Sequence, residues 1–384
     1  MPDQVITFIA TGPATGAGDQ VALLLQLLWI LFFLAFFFLY PSFGQRMQLS
    51  FVLRDIEKKL MRLKQMRDEV RDRTLDAIKR HSESNDPSKE LDELLEYFYI
   101  SPESMDPYGI VYKLEHILDI GDNRFEESVA KIASKADVHK VKSLSNLVEV
   151  ARGLNFFFRV VRHYYLLSRK TSNYLIALQI QNALPNILEI AEAYRQASFA
   201  FMYGQPIGDG IGVLVAARFM RQNGVLETKE VAKDTIVGVT EMEGRRVYVV
   251  RAMGPGGTVG KPGEAVKNVV EMLNGKVDLI ITVDAALKLE GEDTGKVAEG
   301  VGVAIGGPGV DKFKIETLAR ENKVPLYAIV IYQSIAEAIT PMRSTIAKSA
   351  SDVLERVKAI IKEKVPENGT AILAGIGNTI GIGS

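Results

Sequence analysis

Twenty consecutive residues without a charge, Val21 to Tyr40, constrain this chain more than any other feature. As a helix rising about 1.5 Å per residue they would reach roughly 30 Å, the depth of a bilayer's hydrocarbon core. Gln26 is the only strongly polar residue among them. The preceding segment carries Asp3 and Asp19 but no Lys or Arg, unlike the basic leader of a cleaved signal peptide. Arg46, Arg54, Lys58, Lys59, Arg62, Lys64 and Arg67 follow the run, which puts positive charge on its C-terminal side. The reading is an extracytoplasmic tail at 1–20, a single transmembrane helix at 21–40 held in the lipid bilayer, and a cytoplasmic body at the cell membrane.

Composition narrows the chemistry of that body. The 384-residue chain has no cysteine, so disulfides and thiolate metal sites are excluded. Lys and Arg number 46 against 47 Asp and Glu, and this balance gives no reason to expect nucleic acid as a partner. The four histidines, His81, His116, His139 and His163, all precede residue 204 and have no metal-ligand spacing.

Residues 45–203 read as an α-helical domain. Leu53, Ile56, Leu60, Leu63, Met66 and Val70 recur at three- and four-residue steps among charged neighbours. The segment 51–81 is therefore either a coiled coil that would build a homo-oligomer or a helix of an intramolecular bundle. Phe156, Phe157, Phe158, Tyr164 and Tyr165 are expected in the bundle core, and Pro185 is expected to kink or split the last helix.

The pattern changes at Gly204. Short β-branched runs at 235–240, 246–252, 279–283, 302–305, 326–331 and 371–374 alternate with helical stretches at 212–222, 262–274 and 312–322 and one ending near Lys364. Residues 204–384 are expected to form a three-layer α/β domain with a mostly parallel sheet. The fold class is thus a membrane-anchored α + α/β protein.

Glycine clusters fall at the strand–helix junctions, where open sheets bind ligands. Gly306, Gly307, Gly309 and Asp311 form one candidate ligand-binding turn, and Gly375, Gly377 and Asn378 another. The segment from Pro255 to Pro262 is no phosphate loop, because Pro255 replaces its first glycine and Pro262 its Ser or Thr. Asp284 ends an apolar strand and Asp209 lies in a glycine turn. Two such carboxylates can share a proton or hold a divalent metal, which makes them the candidate catalytic and metal-binding residues.

The stretch Val277–Ser334, with its Asp284-Ala285 pair at a strand end, resembles the core of bacterial spore germination proteases. Gly204–Met220 resembles the glycine turn and helix of hydrogenase maturation peptidases. In both families that helix follows a strand ending Gly-x-Gly-Asn; here AILAGIGN, Ala371–Asn378, closes the chain. The resemblance implies a circularly permuted peptidase fold, with Asp209 and Asp284 at the two acidic active-site positions. The third ligand of the hydrogenase peptidases, a histidine, is missing from the corresponding turn 306–311. The whole chain is similar to an archaeal membrane-protein family of unknown function, domain of unknown function 1512. Three functions remain open: hydrolysis of a peptide by an Asp pair or a divalent metal, a non-catalytic oligomeric scaffold, and binding of a small anionic ligand.

Overall fold

The computed structural model describes residues 17–98, 100–102 and 109–383, with side chains described at 24–36 and from 47 onward. Residues 1–16 of the expected extracytoplasmic tail lie outside these residues. The N-terminal half is helical: α1 (Ala17–Lys79), α2 (Ser88–Leu95), α3 (Ile110–Ile132), α4 (Val138–Thr171) and α5 (Tyr174–Tyr203). Pro185 lies inside α5, which continues past it.

The expected transmembrane helix is not found. Among the described residues, no helix is long and apolar enough to cross a membrane. The apolar residues belong to α1, one 63-residue helix whose later turns carry many charges. The single-pass membrane anchor is corrected accordingly.

The chain divides into two compact units. One comprises the residues up to Lys59 with Val161–Leu184. In it Ile56, Ala177 and Leu184 are buried, and Asp55 accepts from Lys59 Nζ at 2.8 Å and Gln181 Nε2 at 2.9 Å. The other comprises Leu60–Val160 with Pro185 onward. Within it Leu63, Val70 and Ile78 of the periodic stripe are fully buried. Arg67 lies over the Phe158 ring at 4.2 Å, and Arg73 over Phe199 at 3.6 Å. The stripe from Leu63 to Ile78 is thus covered by the chain itself, as in a bundle helix. Of the aromatic residues expected in the core, Phe158 and Tyr165 are buried, while Phe156 and Tyr164 are exposed.

Seven strands form one sheet: β1 (Glu227–Ala232), β2 (Thr235–Met242), β3 (Arg245–Ala252), β4 (Leu279–Leu287), β5 (Val297–Val301), β6 (Leu326–Gln333) and β7 (Thr370–Gly375). Their spatial order is β1-β2-β3-β7-β4-β6-β5. Only the central strands β3, β7, β4 and β6 run parallel; β1, β2 and β5 pair antiparallel. The sheet is therefore mixed and the protein α+β, which corrects the expected mostly parallel α/β domain. The cause is local. The tight turn Glu243-Gly244, with φ of 48° and 73°, closes a β2–β3 hairpin that cannot be parallel.

Helices cover both faces of the sheet. Leu279, Ile281 and Val283 pack in one core with α6 (Ile211–Asn223) and α9 (Ser344–Lys364). Ile280, Ile372 and Ala374 pack in a second core with α7 (Pro262–Met272) and α8 (Val310–Asn322). This is the two-residue alternation of strands buried on both sides. Strand β1 escapes a sequence reading because its residues Glu227 to Glu230 are exposed and lack apolar alternation, as befits an edge. The expected strand at 302–305 is a loop, and β5 forms just before it.

Gly212 fixes how closely α6 meets the sheet. A Cβ there would lie 2.2 Å from the Val283 carbonyl oxygen and 2.3 Å from that of Ile376. Gly300 on β5 has open space instead. We expect Gly212→Ala to lose about 3 kcal/mol in urea unfolding by overpacking. Gly300→Ala should stay within about 0.5 kcal/mol of the parent.

Candidate active site

The central strands end unevenly, and that step makes the site. The β4–β7 ladder stops at Val283 opposite Gly375, while β4 continues beside β6 to Leu287. Asp284 is the first β4 residue beyond the end of β7. Strand alternation turns it toward the α7 and α8 face. It is 5 % exposed. Its Oδ1 accepts from the Ala285 amide at 2.7 Å and its Oδ2 from the Gly306 amide at 3.1 Å. Thr282, two residues earlier, accepts from the Ala304 amide at 2.9 Å. Two β4 side chains thus hold the loop that follows β5.

Asp209 arrives from a separate part of the chain. It sits in a single 3-10 turn, Gly208–Gly210, that leads into α6. The Gly208 amide donates to Thr340 O at 3.2 Å, which anchors the turn. Asp209 Oδ2 accepts from the Asn378 amide at 2.8 Å. Gly377 makes this approach possible: its φ is 131°, and a Cβ there would lie 2.0 Å from Asp209 O. Gly375 plays the same part against the Gly212 carbonyl, 2.4 Å from where its Cβ would stand. The Asn378 side chain does not reach Asp209. It donates to Asn146 Oδ1 of α4 at 3.0 Å and accepts from the Ile380 amide at 2.9 Å.

Both aspartates open on one cavity of about 360 Å³, shared with Gly306, Gly307, Asp311, Gly377 and Lys261. Gly309 precedes α8 with φ of 90° and is not among the lining residues. Asp311, in the first turn of α8, accepts from the Gly263 amide of α7 at 2.8 Å. It therefore caps the neighbouring helix rather than its own.

The electrostatics follow from burial. Desolvation, reinforced by the negative charge of Asp209, pushes the Asp284 carboxyl up to about 7. Desolvation also raises Asp209, against the opposing pull of the Asn378 amide. Two interacting carboxyls of this kind titrate as a pair. Burial works against the charge of Lys261, but its hydrogen-bonded ion pair with Asp119 holds it above the usual range.

Among the described residues, no group of three or more His, Cys, Asp or Glu side chains is arranged to hold a metal ion. Asp209 and Asp284 alone are a weak ligand set, since bound divalent cations draw six or more oxygen donors or dedicated nitrogen and sulfur ligands. The two aspartates are related instead through their charges, Asp209 adding to the rise of Asp284.

Some lining residues carried no sequence signal. Glu115, Asp119 and Asp122 of α3 border the cavity although they lie far from the glycine turns in the chain. Helical periodicity marks them only as a polar face. Lys261, which the sequence places at a helix start, also faces the cavity.

Residues 27–204 match the N-terminal domain described as "Protein of unknown function (DUF1512)", and residues 207–383 match the "Domain of unknown function (DUF1512) C-terminal". No curated protein matches the chain.

The folded protein binds the Asp284 proton more tightly than the unfolded chain does. Stability should therefore fall as pH rises from about 4 to about 7 and level off above. Asp284→Asn should remove that fall and exceed the parent in stability at pH 8, read from urea midpoints across the range. Asp311→Ala should cost about 1 kcal/mol by uncapping α7, and Asp311→Asn should retain most of it.

Proposed function

The chain belongs to the DUF1512 family, whose description carries no activity, and we propose that its C-terminal half is a peptide hydrolase working through the Asp209–Asp284 pair. One observation carries the reading. Two buried carboxyls from distant parts of the chain share one cavity, and one of them titrates near neutral pH. Perturbed pairs of this kind suit general acid–base chemistry. Asp209, ionised, takes a proton from a water molecule as that water attacks the scissile carbonyl. Asp284, protonated below about pH 7, gives its proton to the departing amine. The first turns of α7 and α8 border the cavity at Pro262 and Val310, so their positive ends favour the negative charge that develops on the carbonyl oxygen.

The lining supports a cationic or neutral peptide as substrate. Asp122 and Asp311 add acidic groups, whereas Asp119 is paired with Lys261 and Glu115 with Lys314. The same acidity weighs against a small anionic ligand.

The resemblance to spore germination and hydrogenase maturation peptidases points the same way. Strand β7 runs into the Gly375–Asn378 turn, and α6 packs on that turn through Gly212. A strand, a glycine turn and a helix are thus together in space although their order in the chain is reversed. A circular permutation of the peptidase arrangement accounts for that order.

The test is cleavage of a peptide library by the full chain, with products read by mass spectrometry. Asp284→Asn and Asp209→Asn should each lower kcat by about a hundredfold or more while the circular dichroism spectrum is kept. Activity of the parent should decline as pH rises through about 7. Cleavage that survives Asp284→Asn, or no cleavage of any peptide, would overturn the proposal.

A further inference from the structure

A second cavity lies on the other face of the sheet. Arg251 of β3 shares its strand face with Val247 and Val249, which pack in the α6 core, whereas Asp284 faces α7 and α8. Its register partners leave it space: Ile236 on β2 and Gly375, without a side chain, on β7. Arg251 is 2 % exposed. Its Nη1 donates to the Ala252 carbonyl at 3.2 Å, while its Nε has no partner. Among the described residues no carboxylate perturbs it, and burial lowers its pKa.

A guanidinium stays charged in proteins, so leaving it buried and unmatched is strongly unfavourable. The surroundings show what would match it. Arg251 lines a cavity of about 970 Å³ whose described lining residues include no Asp or Glu. Arg218 and Arg221 of α6 add two further cations, and Leu214, Ile236 and Met342 contribute to a mostly apolar wall. Arg218 already donates to the Ala347 carbonyl at 3.2 Å. The volume is that of a pocket for a drug-sized ligand. One buried planar fork suits one planar acid group, and the walls suit an aliphatic body.

We propose that this cavity binds an aliphatic carboxylate, with its head on Arg251 and its chain along the wall formed by Leu214, Ile236 and Met342. The site is separate from the aspartate pair and does not depend on the proposed hydrolysis.

Dodecanoate, dodecanol and acetate, used below micellar concentrations, are the probes, and binding to the full chain is read by calorimetry. Dodecanoate should bind the parent at least about tenfold more tightly than dodecanol, because the alcohol cannot form charge-assisted hydrogen bonds with Arg251. Acetate should bind far more weakly, because it lacks the chain. Arg251→Met should lower dodecanoate affinity by about tenfold or more while keeping or raising the melting temperature, since it replaces an unmatched buried charge by an apolar side chain of similar length. Leu214→Trp, which fills the cavity and keeps the charge, should also weaken dodecanoate by about tenfold. Equal binding of dodecanoate and dodecanol, or dodecanoate affinity unchanged in either variant, would overturn the proposal.

Discussion

Helix α6 meets the ends of two parallel strands backbone to backbone, and three glycines allow it. Gly212 lies against the carbonyls of Val283 and Ile376, Gly375 against that of Gly212, and Gly377 against that of Asp209. Side chains at any of these positions would hold the helix off the sheet. Its contacts with the end of β7 join distant parts of the chain, and its contact with Val283 carries the Asp209 turn to the strand that bears Asp284. Close packing at backbone distance leaves little room for relaxation. The position of the aspartate pair is therefore tied to the stability of the sheet itself.

Unmatched charge is placed differently on the two faces of that sheet. On the α7 and α8 face, two carboxyls lie in one cavity, and the Asp284 carboxyl rises because neither water nor a cation offsets its charge. On the α6 face, a buried guanidinium donates to the Ala252 carbonyl, and its Nε has no partner among the described residues. Burial disfavours the charged form of each group, and groups perturbed in this way cluster at functional sites. The strands between them are apolar on both sides, so the two cavities lie on opposite faces of a buried sheet.

Much of the central sheet was legible because buried strands have to be short, apolar and β-branched. Leu279–Val283, Leu326–Ile331 and Ala371–Ala374 have no other plausible environment. Asp284 was legible for the same reason, since a charge that ends such a run demands a partner. Asp311 was visible as part of a candidate ligand-binding turn, but its role in capping α7 was not, because the Gly263 amide reaches it through space. Edge strand β1 gave no signal, since its exposed residues need no alternation. The apolar run at 21–40 reads as a membrane span by length and hydropathy, yet among the described residues no helix is long and apolar enough to cross a membrane.

What the sequence determined by itself was local: which segments become helices and strands, where glycine turns interrupt them, and which carboxylates end apolar runs. These follow from side-chain periodicity and backbone sterics within a few residues. Tertiary structure alone decided that the last strand enters the middle of the sheet, between β3 and β4. It also decided that Asp209 and Asp284 share a cavity and that Arg251 is buried in one whose described lining holds no Asp or Glu. Each of these depends on groups far apart in the chain, and burial and charge pairing are properties of the surroundings that folding assembles.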